Sequence, residues 1–182
     1  MNKGIKFSLK FLSLLSVIAK GVFAFAAAMF LFVGVVIAIP PLRDQVTTNM
    51  PIGGRSIPID GSLNNMTLAF GALILEIILA LILFSIANSL KNLINNMQQG
   101  HFFTANNLRY LKQILNNMWE LISLQGIFIV GALGFDFYAG EYTFNSDFTS
   151  LLIMFVFLAI FYTTYTLIKK GVVLKEDNDS FI

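Results

Sequence analysis

Apolar residues fall along this chain in four long blocks, and between the second and third the pattern changes period. The blocks lie within Ser16–Ile39, Met66–Ala87, Trp119–Phe137 and Phe148–Ile168. Each holds roughly 19–24 residues, enough as a helix to cross a hydrocarbon core of about 30 Å. Tandem Pro40-Pro41 ends the first block, because proline cannot donate to a continuing helix and clashes with the turn before it. The first block also runs well past the length of a cleaved signal's apolar core, so it reads as a retained span despite Lys3, Lys6 and Lys10 ahead of it.

After Ala87 the apolar residues thin out without stopping. Leu90, Leu93, Ile94 and Met97 recur at three- or four-residue intervals, separated by Lys91, Asn92, Asn95 and Asn96. That is a helix with one apolar face. It is expected to run to about Gln99 and to end at Gly100, a residue suited to the left-handed conformation that closes helices. Thr104 is placed as the N-cap of the next helix. Phe103 and Leu108 stand at the positions of a hydrophobic staple, and Asn107 stands where a full capping box would carry Glu or Gln. Beyond it, Leu108, Leu111, Leu115, Met118 and Ile122 form one stripe. Asn106, Arg109, Lys112, Gln113, Asn116 and Asn117 take the other faces. The pattern predicts a polar helical hairpin, residues 88–118, that extends the second and third spans beyond the bilayer. It serves either as a rigid connector or as a docking surface.

Composition agrees. Of 182 residues, 57% are hydrophobic and 12% charged, against about 25% charged in an ordinary soluble domain. The expected fold class is therefore an all-α integral membrane protein, a single domain of four transmembrane helices with the cytoplasmic hairpin extension. A small extracytoplasmic cap is expected between spans one and two, with "RSIPI" as a short strand that "EYTFN" in the second outer loop could pair with. Lys3, Lys6, Lys10, Lys20, Lys91, Arg109, Lys112, Lys169, Lys170 and Lys175 fall on one side, and only Arg43 and Arg55 on the other. Positive charge marks the cytoplasmic side, which places both termini, the hairpin and the tail 169–182 in the cytoplasm. The absence of cysteine excludes disulfides and thiolate metal sites and suits a bacterial inner membrane.

Candidate chemistry is sparse. The chain has no phosphate-binding loop, no paired histidines and no nucleophile elbow, so no catalytic, cofactor or metal residues are assigned and the chain is not read as an enzyme. Its basic residues are scattered along the membrane rim. They suit the lipid bilayer's anionic headgroups, and no direct nucleic acid binding is expected. Glu76 falls near the middle of span two, and an acid at that depth is a functional candidate by default. The alternative reading is a structural, hydrogen-bonded acid. Lys20 and Glu120 fall at similar depth near the inner edge and are expected to pair. Gly171 is expected to break or cap the last span. The tail after it is either solvated or folded back near the hairpin base, with Leu174, Phe181 and Ile182 as its apolar contacts.

The turn Gly100, Phe103, Thr104, Asn107 and the tail Gly171, Leu174, Glu176, Asp179, Ile182 follow the patterns G-x-x-F-T-x-x-N and G-x-x-L-x-E-x-x-D-x-x-I. Together with four spans they resemble the bacterial membrane family called domain of unknown function 2975. The last four residues, Asp179-Ser180-Phe181-Ile182, depart at two positions from that family's usual ending. The family has no established activity, and its members are often encoded beside a small helix-turn-helix regulator. The resemblance implies a membrane component that binds or restrains such a partner, with Phe102, Phe103, Thr104, Asn107, Leu108, Leu174, Glu176, Asp179 and Ile182 as the candidate contact surface. The other function considered is a small transporter or channel-like homo-oligomer with Glu76 as its coupling acid.

Overall fold

A computed structural model describes residues 3–43, 49–52, 55–58, 63–139 and 147–179. Among these the chain forms four long helices: α1 (Lys3–Ala38), α3 (Leu63–Gln98), α4 (Ala105–Ala139) and α5 (Asp147–Asp179). A short turn of helix, α2 (Pro40–Arg43), and two strands, β1 (Asn49–Ile52) and β2 (Arg55–Pro58), lie between α1 and α3. Three segments are long and apolar enough to cross a membrane: Lys3–Ala38, Ala69–Gln98 and Thr149–Asn178. The protein is thus a helical membrane protein. α4 is an unbroken 35-residue helix that contains the third apolar block.

The strands pair antiparallel with Ile52 opposite Arg55, leaving Gly53-Gly54 as the connection. Two-residue loops rich in glycine are the commonest way to close a hairpin. The expected strand at Arg55 therefore exists and pairs with the adjacent Asn49–Ile52; "EYTFN", its expected partner, lies outside the described residues. The helices also extend further than the apolar blocks. α1 starts at Lys3, so the basic arm before the first span is helical. α5 runs through Gly171 to Asp179, so the glycine neither breaks nor caps it.

The chain divides into two compact units, Gly21–Ile82 and a second comprising Met1–Lys20 with Leu83–Ile182. In the first, Ile37, Ala69, Ala72, Leu73 and Ala80 are buried. A β-carbon added at Gly34 would lie 3.8 Å from Leu73 Cδ1, an ordinary packing distance for two helices in close approach.

In the second unit the amphipathic stripe does what its spacing predicts. Ile114, Leu115, Met118 and Ile122 of α4 pack with Leu158 of α5, flanked by Ile86 and Leu90 of α3. Nearer the turn, Leu93, Leu111, Ile168 and Val172 form a second cluster with Leu108 and Met97 at its edge. The largest fully buried side chains are Leu111, Ile114, Asn107 and Ser89. All four come from the more polar stretch between the second and third apolar blocks. That inversion follows from solvent. A helix in lipid loses nothing by exposing leucine, whereas burying a large apolar side chain away from water is worth about 1.5–3 kcal/mol. Trp119 meets Phe155 edge-on, with ring centres 6.4 Å apart, and joins α4 to α5.

Candidate functional site at the hairpin tip

The turn between α3 and α4 is closed from both sides. Gly100 has φ +84°. Its N–H donates to the Met97 carbonyl at 3.0 Å, and the His101 N–H donates to the Asn96 carbonyl at 3.0 Å. These are the two bonds of a Schellman ending, which needs a left-handed residue at this position. On the other side Thr104 Oγ1 accepts from the Asn107 N–H at 3.4 Å, and the Thr104 carbonyl accepts from the Leu108 N–H at 3.2 Å. Thr104 is therefore the N-cap of α4, through a long side-chain bond.

Asn107 completes the turn in a way its spacing did not suggest. It is fully buried. Its Nδ2 donates to the carbonyls of His101 (2.6 Å) and Phe102 (2.9 Å), and its Oδ1 accepts from Asn96 Nδ2 (3.0 Å). A capping-box Glu or Gln would reach back to a backbone N–H. The amide instead faces two carbonyls, which a carboxylate could not satisfy. Asn107 is thus the turn's internal strut and presents no surface to a partner, which corrects its expected place on the contact surface.

α5 comes to the same spot. A β-carbon at Gly171 would fall inside the contact distance of the Phe103 ring, so the ring lies where any larger residue would put its side chain. Val172, next along, is buried in the cluster with Leu93 and Leu111. The expected approach of the tail to the hairpin is thus made at Gly171 and Val172 by a helix that continues to Asp179. A cavity of about 250 Å³ opens here, lined by Gly100, His101, Phe102, Phe103, Thr104 and Lys175. Phe103 is 48% exposed and Leu174 68% exposed. Glu176 is exposed, while Thr104, Phe102 and Leu108 are half-buried. The side chains of Asp179 and Ile182 lie outside the described residues.

A polar ladder ties this end of the molecule to α1. Gln98 Nε2 donates to the Leu9 carbonyl (2.9 Å), Ser13 Oγ to Asn95 Oδ1 (3.1 Å), and Lys20 Nζ to Asn88 Oδ1 (2.9 Å). Residue numbers fall along one helix as they rise along the other, so α1 and α3 are antiparallel. Lys20 also lies over the Phe84 ring, 5.0 Å from its centre. The contacts made by Lys20 are thus Asn88 and Phe84, in place of the expected Glu120, which is exposed on α4. Between α3 and α4, Ser85 Oγ accepts from Asn117 Nδ2 (2.7 Å) and Gln113 Nε2 (3.3 Å). Asn117 is consequently buried instead of facing water. Glu76 is half-buried on α3, and among the described residues nothing hydrogen-bonds to it.

Among the described residues no group of three or more metal-ligating side chains is brought together. The geometry offers a rigid tip with an exposed aromatic, a shallow cavity and a cationic edge from Lys175. Comparison with protein-family models, with curated proteins and with solved structures finds no match.

Proposed function

We propose that this chain is a four-span protein of the bacterial cytoplasmic membrane, with both termini and the hairpin inside, that works by protein contact and not by catalysis. In this reading α4 supplies the fourth span through Trp119–Phe137, and the ten-to-two asymmetry of basic residues supports the orientation. The hairpin tip and the last turns of α5 form a platform that holds or restrains a small helix-turn-helix regulator. One observation carries this reading. The turn and the tail, far apart in sequence, meet where Phe103 lies on Gly171 beside a cavity edged by Lys175. These are the same two segments that resemble the family. A connector would need the turn to be closed, but it would not need an exposed aromatic and an exposed leucine on a rigid, water-facing tip.

Fractionation tests the reading. With the intact protein, a helix-turn-helix regulator encoded beside it is expected to sediment with membranes. Phe103→Asp is expected to release it to the soluble fraction while the membrane protein stays inserted. A regulator that remains soluble in the presence of the intact protein would count against the proposal.

A further inference from the structure

The N-terminal turns of α1 are apolar at a height where α4 is polar. Ser13 and Lys20 bond Asn95 and Asn88, which aligns α1 with α3. Asn107 and Asn117 bond Asn96 and Ser85, which aligns α4 with α3. Residues 11–20 of α1 therefore lie level with residues 107–117 of α4. There α4 exposes Arg109, Lys112, Gln113 and Asn116. On α1 the outward side chains are Phe11, Leu12, Leu14, Leu15, Val17 and Ile18, each 45–58% exposed. The polar residues of this stretch, Ser13, Ser16 and Lys20, fall within a sector of about 60° at 100° per residue. All three are turned inward: Ser13 to Asn95, Lys20 to Asn88 and the Phe84 ring, and buried Ser16 to the Leu12 carbonyl.

We propose that this arm of α1 is embedded in lipid. The bilayer then reaches Lys10 on the α1 side while it stops near Trp119 on the α4 side, and Lys3, Lys6 and Lys10 meet anionic phosphates. Three observations favour lipid. First, six exposed large apolar side chains within about 15 Å of helix make a patch that water does not leave bare. Second, the face runs on with no polar break through residues 21–38, within a helix apolar enough to cross a membrane. What covers the span therefore covers the arm. Third, Lys3, Lys6 and Lys10 are exposed where the face ends. Lysines at such a place lay their stems along hydrocarbon and put their ammonium groups among the phosphates. The length also fits. Residues 11–38 make about 42 Å of helix, and at a tilt of about 40°, the upper end of the usual range, they cross about 32 Å of bilayer. The hydrocarbon core is about 30 Å thick. A tilted bundle meets lipid on one side at a height where its other side meets water, and Trp119 is exposed where α4 would leave the hydrocarbon.

Trp119 is the chain's single tryptophan, so in a Trp119→Phe background one new tryptophan reports one position. In phospholipid vesicles, lipid brominated on its acyl chains should quench Leu14→Trp as strongly as Phe32→Trp, which lies in the span, and about threefold more than Gln113→Trp. Aqueous iodide should give the reverse order. Emission of Leu14→Trp that iodide quenches as well as it quenches Gln113→Trp would place the arm in water. Emission there that neither agent quenches would place it against protein. Either result would overturn the proposal. In vesicles containing anionic phospholipid, joint Lys6→Glu and Lys10→Glu should raise iodide quenching of Phe11→Trp about twofold, with little change in zwitterionic vesicles. An equal response in both kinds of vesicle would overturn the headgroup contact.

Discussion

Replacing Asn107 by alanine removes three side-chain hydrogen bonds at once: two from Nδ2 to the His101 and Phe102 carbonyls, and one accepted from Asn96. A net hydrogen bond is worth about 0.5–1.5 kcal/mol, so the three together contribute about 1.5–4.5 kcal/mol. His101 is exposed, so water can reach its carbonyl once the amide is gone. That puts the expected loss in the lower half of the range, about 2 kcal/mol. It should be local, because Leu111 and Ile114 form their clusters without Asn107. Amide hydrogen exchange on protein in nanodiscs reads such a loss directly. The reporters are the N–H groups of Gly100, His101 and Leu108, each bonded within the turn. At about 1.4 kcal/mol per factor of ten, their protection should fall about thirtyfold, with α4 protection around Met118 unchanged. Asn107→Asp should do no better, since a carboxylate cannot donate to two carbonyls. Protection within threefold of the native protein in Asn107→Ala would refute the assignment of Asn107 as the strut.

Gly171→Ala sets a gain of about 1 kcal/mol in helix propensity against displacement of the Phe103 ring. Thermal stability should change little, while the aromatic resonances of Phe103 should move; an unmoved Phe103 ring would mean that the ring does not rest on Gly171. Glu76→Gln keeps volume and hydrogen-bonding capacity, so fold and regulator retention should persist. Proton flux present in native proteoliposomes and lost in this variant would instead establish the transporter reading. A cysteine at Asn106, which is exposed, should react with an impermeant maleimide only after cells are opened, and labelling in intact cells would reverse the topology.

Much of the tip was legible because local chemistry decides it. Gly100 closes a helix, Thr104 opens one, and a three-four spacing of leucines needs only a partner helix to become buried. Pairings across helices were not legible in the same way. Counting residues from a membrane boundary gives depth but not azimuth, so Lys20 and Glu120 share a height without facing each other, and Lys20 turns to Asn88. Gly171 after two lysines reads as a helix end by propensity. Tertiary contact overrides that reading, because Val172 is buried and Phe103 needs the space a side chain would take. Asn107 and Asn117 look like solvent-facing residues between leucines. What distinguishes them is a set of partners, Asn96 and Ser85, from the preceding helix. The strand at Arg55 was legible in "RSIPI", but its pairing with the adjacent Asn49–Ile52 was not, since Pro51 makes that segment poor evidence for a strand.

The platform itself is tested most directly by placing a photo-reactive amino acid at position 103 and irradiating native membranes. The account predicts one dominant adduct with a small soluble helix-turn-helix protein. That adduct should be lost when Asn107→Ala loosens the turn and retained when Glu76→Gln alters the bilayer interior. Adducts confined to lipid, or a protein adduct indifferent to Asn107→Ala, would contradict it.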